Sequence, residues 1–211
     1  MRFSLLAFAS IAVAQQQQPL STLSTTLVDA LSADPDYTSL IRLLQRARLI
    51  PTLNKLNGST LFAPTNDAIE RHPEWHDALA TTDDDLKDNV HEQLRQELLY
   101  HLLNYSIPSQ PEVEIHVQVH KTLLFPRPLA DPPSHEPPST PPWLPVPGGT
   151  LGGDPQRVRV ASRDGGAWVG VDAYGNGGAE IVKGRVDVKN GVLLGISDVL
   201  VVPPGLGVSL P

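Results

Sequence analysis

The stretch Ser59-Thr60-Leu61-Phe62-Ala63-Pro64-Thr65-Asn66-Asp67 decides how this chain folds. Residues 59–63 are β-prone and lie between Gly58 and Pro64, residue types that typically bound a strand. The hydroxyl of Thr65 can cap a following helix, and Asp67 places a negative charge in its first turn, where the helix dipole favours it. The stretch therefore predicts a strand that enters a helix through Pro64-Thr65.

Two segments on either side of this stretch carry apolar residues at helical spacing. The first is formed by Leu40, Leu43, Leu44 and Ala47 at positions i, i+3, i+4 and i+7. The second is a longer stripe formed by Val90, Leu94, Leu98, His101 and Leu102. We therefore expect one amphipathic helix before the strand and a helix of about three turns after it.

Beyond the second helix, the pattern alternates with a period of two. The apolar residues are Val113, Ile115, Val117 and Val119, and the polar ones are Glu114, His116, Gln118 and His120. This alternation predicts a strand with a buried valine face and an exposed histidine face, and Thr122 to Phe125 can pair with it.

The C-terminal third consists of short β-prone runs separated by turns. These runs are Arg157–Ala161, Trp168–Val171, Ile181–Val188, Val192–Ile196 and Val199–Val202. Asn190-Gly191 lies between two of them, which predicts a type I′ hairpin with positive φ at both positions. Helices first and strands later indicate an α+β domain.

Composition excludes several classes of protein. The 211 residues contain no cysteine, so disulfide scaffolds and thiol enzymes are excluded. The formal charge is −7 and no Lys/Arg run is present, so nucleic acid binding is not expected. The length fits one domain.

The N-terminus predicts a secretory route. Residues 1–14 resemble a signal peptide, because an apolar run after Arg2 ends in the small-residue site Ala12-Val13-Ala14. About eleven apolar residues are too few to cross a bilayer, which needs about 20. Residues 15–25 form a Gln-rich linker, and the sequons at Asn57 and Asn104 are predicted N-glycosylation sites.

Three blocks of the sequence resemble the fasciclin (FAS1) domain family, in its fungal secreted or vacuolar branch. The blocks are Thr60 to Ala68, Leu99-Tyr100-His101-Leu102, and Asn190-Gly191-Val192 through Asp198-Val199-Leu200 to Pro203-Pro204. The residues assigned to the family motif are Thr60, Phe62, Ala63, Pro64, Thr65, Asn66, Tyr100, His101, Asn190, Gly191, Val192, Asp198, Leu200 and Pro203. The resemblance covers a single domain at 26–204, with a Pro-rich insertion at 126–147 and a tail at 205–211.

The resemblance implies N-terminal helices packed on a β-wedge or sandwich of antiparallel strands, and a non-catalytic role in adhesion or protein interaction. Members often carry tandem copies, so the resemblance implies either a short paralogue or a truncated version of a longer protein. In animal relatives an Asp-Ile pair serves integrin recognition, whereas Arg185-Val186 stands here. A guanidinium cannot replace a carboxylate that meets a receptor-bound cation, so an integrin role is not supported.

Candidate catalytic and metal sites have simpler structural explanations. His101 lies on an apolar helical stripe, which favours a buried, hydrogen-bonded core residue. His116 and His120 would lie about 13 Å apart along a strand, too far to share an ion, and are expected to be exposed.

His72 and His76 lack the Glu of a zinc hydrolase motif, and Pro73 indicates a helix start between them. The run Asp83-Asp84-Asp85 fits a helix first turn, and glycines such as Gly175 fit turns. We predict no catalytic, cofactor or metal site.

Two tryptophans are the predicted docking residues. Trp143 lies in the insertion, where 10 of 22 residues are proline, and Trp168 lies on a predicted strand. The sequence thus predicts a protein that mediates adhesion or protein interaction at the cell wall or extracellular matrix. A vacuolar protein of membrane traffic and a binder of apolar small molecules remain the alternatives. The partner is a protein or a wall or matrix component, with no transmembrane segment after signal cleavage.

Overall fold

The computed structural model describes residues 24–81, 88–108, 117–124, 155–163 and 165–202. Several predictions lie outside these residues: the leader at 1–14, the run Asp83-Asp84-Asp85, the Pro-rich insertion with Trp143, and the chain from Pro203 onward. His116 and most of the alternating segment before it also lie outside.

The helices of the described part precede most of the strands. They are Leu27–Ala33 (α1), Thr38–Arg46 (α2), Ile50–Lys55 (α3), Asn66–Arg71 (α4), Pro73–Ala80 (α5) and Asp88–Tyr100 (α6), with a 3-10 turn at Pro35–Tyr37. α1 begins with a capping box in which Thr26 and Asp29 bond each other's backbone N–H groups. α2 buries Leu40, Leu43 and Leu44 on the predicted face, and Pro73 begins α5 between His72 and His76.

Within the described ranges, seven strands form one mixed sheet in the order β2-β1-β7-β6-β5-β4-β3. They are Ser59–Pro64 (β1), Leu102–Leu103 (β2), Gln118–Lys121 (β3), Arg157–Arg163 (β4), Gly166–Val169 (β5), Ala179–Val188 (β6) and Gly191–Ile196 (β7). β1 and β7 pair in parallel, and the other pairs are antiparallel. The α+β class is as predicted, although the central pairing departs from an all-antiparallel sheet.

The predicted strand-to-helix element lies at the centre of the fold. All six residues of β1 are buried, because the strand lies between β2 and β7 with helices packed over it. Thr65 then caps α4 by accepting a hydrogen bond from the backbone N–H of Ala68. A strand buried on both faces reads as a continuous apolar run, and residues 61–64 have that pattern. The buried hydroxyls of Ser59 and Thr60 donate to backbone carbonyls.

The long helix ends earlier than its stripe predicts. α6 ends at Tyr100, and Leu102 belongs to β2, where it lies opposite Leu61. His101 occupies the turn between them, and its N–H donates to the carbonyl of Leu98. Leu98 at the end of α6 and Leu102 in β2 are buried in the same core, so the periodicity of apolar residues does not show where the helix ends and the strand begins.

The predicted faces of β3 are reversed. Val119 is 51% exposed, whereas His120 is 7% exposed. His120 lies opposite the buried Val158, and its Nδ1 is 2.7 Å from the hydroxyl of Tyr105. Successive side chains of a strand point to opposite faces, so a shift of one residue in the pairing register exchanges the buried set for the exposed set. Here the imidazole is buried where it finds a hydroxyl partner.

The segment after β3 does not form a hairpin with it. Thr122 forms an antiparallel bridge to Leu103, and Leu123 N–H donates to the carbonyl of Leu102. This segment therefore closes the sheet near β2, and Phe125 lies outside the described residues.

The β6–β7 hairpin is present, but its turn is not of type I′ around Asn190-Gly191. Val188 lies opposite Gly191, so the turn residues are Lys189 and Asn190, and neither has positive φ. Gly191 is required for another reason, since a Cβ there would collide with the backbone of Ser59. Val199–Val202 is also not a strand. Val199 and Leu200 are buried in irregular chain after β7.

Candidate functional site

His101 lies in the protein interior and connects three distant elements. It is 0% exposed, and its Nδ1 donates to the carbonyl of Glu97 at 2.8 Å. Its Nε2 accepts from the backbone N–H of Leu200 at 2.9 Å. Its own carbonyl accepts from Phe62 N–H at 3.0 Å, so the residue links α6, the chain after β7, and β1.

The electrostatics of His101 favour the neutral ring. Burial lowers the pKa of His101 to about 4. Protonation would also place a hydrogen on Nε2, which faces the N–H donor of Leu200. The Trp75 ring lies 5.2 Å away between centroids. The imidazole is thus a fixed hydrogen-bonding group of the core.

Asn190 forms a second interior connection. Its Oδ1 accepts from the N–H of Leu27 at 2.8 Å, and its Nδ2 donates to the carbonyl of Leu53 at 2.9 Å. Its backbone carbonyl accepts from the N–H and the hydroxyl of Ser59 at 3.1 and 3.0 Å. Asn190 thereby joins α1, α3 and the start of β1, and the absence of a side chain at Gly191 permits this close approach.

The side chains of Asn66 and Thr60, both in the first motif block, also form hydrogen bonds to backbone groups of distant segments. Asn66 Oδ1 accepts from Ser39 N–H at 2.9 Å, and its Nδ2 donates to the Pro35 carbonyl at 2.9 Å. Thr60 Oγ1 donates to the Tyr105 carbonyl at 2.8 Å and accepts from Ile107 N–H at 2.9 Å. Both side chains fix loops against the β1–α4 unit.

The remaining motif residues are mostly interior as well. Tyr100 is 3% exposed and its hydroxyl donates to the Arg157 carbonyl at 3.1 Å. The buried apolar members are Phe62, Ala63, Pro64, Val192 and Leu200. Asp198 is exposed, and its Oδ1 accepts from Val199 N–H at 2.8 Å. The described motif residues therefore build and join the core instead of lining one recognition site.

An ionic cluster on the surface connects the 3-10 turn to β6. Lys183 Nζ lies 2.6 Å from Asp34 Oδ2 and 2.5 Å from Asp36 Oδ2. Hydrogen bonding to Lys183 lowers the pKa of Asp34, and the two carboxylates raise the pKa of Lys183. The same ammonium lies 5.0 Å from the centre of the Tyr37 ring. One ammonium thus bridges two carboxylates and ties the 3-10 turn to β6, although the cluster keeps one negative charge in excess.

Arg185, which stands in place of an acidic residue of animal relatives, has its own partners. Its guanidinium lies 2.7 Å from Asp187 Oδ1 and also donates to the carbonyl of Ile107. The neighbouring Val186 is 46% exposed. These contacts hold the loop at Ile107 against β6.

The predicted glycosylation and docking residues lie at the surface where they are described. Asn57 and Asn104 are both exposed, each in a bend next to the β1–β2 pair. Trp168 is half-buried on β5, and the Arg163 guanidinium lies 3.9 Å from its ring centre. One face of the indole is therefore already covered by the chain itself.

The structure assembles a cluster of cations that the sequence analysis missed. On β3 and β4, Val119 lies opposite Arg159, and Lys121 lies opposite Arg157. Directly opposite residues of an antiparallel pair point to the same side, and all four side chains are exposed. We call these four residues the basic face. The alternation Arg157-Val158-Arg159-Val160 was its only local signal, since the third cation comes from another strand.

A shallow concavity of about 420 Å³ adjoins the basic face. Its lining includes Arg157, Arg159, Tyr100, Val201 and the carboxylate of Asp172. Asp172 Oδ1 accepts from the N–H groups of Tyr174 and Asn176 at 2.8 and 2.9 Å, and these bonds lower the pKa of Asp172. The acid thus stabilises its own glycine-rich turn, at which Gly175 has φ +82° as a turn glycine does.

Neither a metal cluster nor a membrane span is found among the residues that the structure describes. No three His, Cys, Asp or Glu side chains of that part are arranged to hold an ion. No helix there is both long and apolar enough to cross a bilayer.

Comparison with known proteins finds a similarity to one family. The fasciclin domain profile matches residues 35–124. Over this range, which is 90 of the 211 residues, the chain is similar to the fasciclin domain family. Fasciclin-like arabinogalactan protein 15 of Arabidopsis thaliana is 33% identical over 127 residues, which are 57% of this chain and 28% of the plant protein.

The fold agrees with that of a solved fasciclin structure. The FAS1 domain pair of the insect cell adhesion molecule fasciclin I matches with a TM-score of 0.55 at 15% identity, over 85% of this chain and 51% of that one. The present chain therefore spans about half of that structure and less than a third of the plant relative. The fasciclin family is associated with adhesion and extracellular roles and is generally non-catalytic.

Proposed function

We propose that this protein is a non-catalytic fasciclin module of the secretory pathway that mediates adhesion or protein interaction at the cell wall or extracellular matrix. The observation that carries the proposal is the fasciclin match at residues 35–124. The relatives it resembles include an arabinogalactan protein and a cell adhesion molecule, and we extend that role to this chain.

Two features of the chain support an extracellular location. Residues 1–14 have the pattern of a signal peptide. Both sequon asparagines, Asn57 and Asn104, are exposed, as glycan attachment requires. We infer that the module is exported and carries glycans at one or both positions.

The structure also supports a scaffold role for the motif. His101, Asn190 and Asn66 use their polar atoms on partners within the chain. Buried polar groups that are fully bonded give a core one defined arrangement. A rigid core of this kind presents surface strands and loops in fixed positions, which is what an adhesion module needs.

Localisation of the full chain with a C-terminal tag tests the proposal. We expect recovery in the medium or the wall fraction, with a mobility shift on glycosidase treatment. Asn57→Gln and Asn104→Gln, separately and together, assign the shift to each sequon, and an unshifted cytosolic product contradicts the proposal. Recovery in the vacuole contradicts the extracellular location and favours membrane traffic instead.

Capture by matrix tests the adhesive role itself. Beads coated with the purified protein should be retained on wall or matrix preparations of the source cells more strongly than beads coated with the heat-unfolded protein. Equal retention of the two coatings contradicts a folded adhesion module. Melting temperatures measured with and without lipids test the apolar-ligand alternative, since a ligand that binds only the folded state must raise the melting temperature.

A further inference from the structure

We propose that Asn176 is a site of spontaneous deamidation, which adds a carboxylate to the exposed turn at residues 172–178. The inference goes beyond the proposed function, because it concerns a covalent change within this chain. Asparagine followed by glycine is the dipeptide in which this reaction is least hindered, since glycine has no Cβ to obstruct it. The chain contains three such pairs, Asn57-Gly58, Asn176-Gly177 and Asn190-Gly191.

The reaction is an internal acyl transfer followed by hydrolysis. The backbone nitrogen of Gly177 attacks the side-chain carbonyl carbon of Asn176, and a new C–N bond closes a cyclic imide. The C–N bond to the side-chain amide breaks, and ammonia leaves with the proton that the backbone nitrogen gives up. Water then opens the imide at one of its two carbonyl carbons, which gives aspartate or isoaspartate. The reaction requires only water, with no oxidant, reductant or cofactor.

The surroundings of Asn176 leave room for this attack. Asn176 and Gly177 are both exposed, and a Cβ placed on Gly177 would meet no heavy atom within 4 Å. Gly177 has φ +70°, a conformation that glycine adopts at no steric cost. No backbone carbonyl of the described residues accepts a hydrogen bond from the Gly177 N–H. The attacking nitrogen is therefore free to turn toward the Asn176 side chain.

Asn190 has the same glycine neighbour in opposite surroundings. It is 7% exposed, its Oδ1 accepts from the N–H of Leu27, and its Nδ2 donates to the carbonyl of Leu53. A Cβ on Gly191 would collide with the backbone of Ser59, so the peptide after Asn190 has no space in which to rotate. Reaction at Asn190 therefore first requires local opening of the core. The fold thus makes two identical dipeptides differ in reactivity.

Conversion of Asn176 acts against the hydrogen bonds that close its own turn. Asp172 Oδ1 accepts from the N–H groups of Tyr174 and Asn176 at 2.8 and 2.9 Å, and Asp172 N–H donates to the carbonyl of Asn176 at 2.9 Å. A carboxylate at position 176 brings a like charge close to Asp172. Isoaspartate also inserts a methylene group between the N–H and the C=O of residue 176, both of which bond to Asp172. We therefore expect either product to loosen the turn.

The turn borders the concavity next to the basic face, so the change alters that surface as well. Asn176 and Asp172 both lie in its lining, together with Arg159. A second carboxylate there makes the lining more acidic by one charge. The surface that this part of the molecule presents would thus change with the age of the protein.

Peptide mapping of the purified full chain tests the inference. Folded protein is incubated at neutral pH and in mild alkali, and the tryptic peptides that contain Asn176 and Asn190 are followed by mass spectrometry. Deamidation is read from the mass change that accompanies replacement of NH2 by OH, and isoaspartate from its separate elution. We expect conversion at Asn176 to be at least about tenfold faster than at Asn190, because reaction at Asn190 requires the loss of two buried hydrogen bonds. Alkali should accelerate it, since the attacking nitrogen must lose its proton.

Unfolded protein and one variant provide the controls. In urea, Asn176 and Asn190 should convert at similar rates, because both are then followed by an unconstrained glycine. Asn176→Gln keeps an amide but lengthens the side chain by one methylene group, and its peptide should stay unmodified. Mapping reads each pair separately, so Asn57-Gly58, whose amide is a proposed glycan site, does not enter the comparison.

Two results would overturn the assignment of Asn176. They are equal rates at Asn176 and Asn190 in the folded protein, and an intact Asn176 in the folded protein when both asparagines convert in urea. Asn176→Asp tests the structural consequence, since hydrogen exchange at the Tyr174 amide should be faster in this variant than in the wild-type protein and in Asn176→Gln. Equal exchange in all three would show that the added charge leaves the turn closed, and the predicted loosening would be wrong.

Discussion

The motif core around β1 and β7 and the basic face on β3 and β4 differ in where their polar groups find partners. In the core, His101 and Asn190 bond to groups about 100 or more residues away in the chain at 2.8–2.9 Å. On the basic face, Lys121 and Arg159 have no described carboxylate partner. The sequence motif therefore specifies the scaffold, whereas the exposed cations of the basic face lie on strands outside the motif.

The largest expected effect is the loss of the Asn190 side chain. Asn190→Ala leaves the N–H of Leu27 and the carbonyl of Leu53 without their partner. Each buried group left unsatisfied costs about 1–3 kcal/mol, so we expect the free energy of unfolding to fall by about 3 kcal/mol. Urea denaturation followed by circular dichroism measures this.

Asn54 provides the matched control for that substitution. It is exposed on α3, and Asn54→Ala should change stability by less than about 0.5 kcal/mol. If the two substitutions lower the free energy of unfolding equally, the Asn190 side chain does not stabilise the core. The proposed difference between the motif core and the basic face is then wrong.

The second effect is a loss of stability in mild acid caused by His101. Its folded-state pKa of about 4 lies below the ordinary value of 6.5. The unfolded chain therefore binds a proton that the folded chain does not, and stability falls as pH drops from 6.5 toward 4. The shift predicts a loss of roughly 3 kcal/mol between pH 7 and pH 4. Urea midpoints measured across this range test it.

His101→Gln separates this contribution from other titrating groups. Burial also lowers the pKa of His120, which adds to the slope in the same direction, and Asp34 loses its contribution only near and below its ordinary pKa of 3.8. The variant should be less stable at pH 7 and should have a flatter pH profile than the wild-type protein. An unchanged slope in the variant would assign the pH dependence to other groups.

The sequence predicted the motif core well because its signals are local. The β-prone run 59–63, the Thr65 cap and the apolar face of α2 all depend on neighbours within a few residues, and each is present. The burial of His101 followed from its place on a helical stripe, but its bonds to Leu200 and Phe62 did not, since they join distant parts of the chain.

The sequence predicted the β3–β4 region poorly because its outcome depends on pairing between strands. The alternation around Val119 gave the right period and the wrong face, because it does not show that His120 meets the hydroxyl of Tyr105 in the fold. The basic face likewise requires knowing that β3 lies against β4 in the register Lys121–Arg157. More than thirty residues separate these strands, and no short-range pattern encodes their alignment.

The third effect is the loss of the cap on α4. Thr65 Oγ1 accepts from Ala68 N–H at 3.4 Å, and Thr65→Ala should lower the free energy of unfolding by about 1 kcal/mol. Thr65→Ser keeps the hydroxyl and should retain most of the stability. If the serine variant is as unstable as the alanine variant, packing of the threonine methyl group and not capping stabilises the start of α4.

The smallest effect has the opposite sign and tests the basic face directly. Lys121→Glu replaces a repulsion with Arg157 by an attraction across β3 and β4, so we expect the free energy of unfolding to rise by about 0.5 kcal/mol. Lys121→Gln removes the repulsion alone and should lie between the two. Urea midpoints at low and high salt measure the series, and the differences should nearly vanish at high salt because exposed charges are screened. A series in which the glutamate variant is the least stable would show that Lys121 stabilises the fold and would contradict the expected repulsion between Lys121 and Arg157.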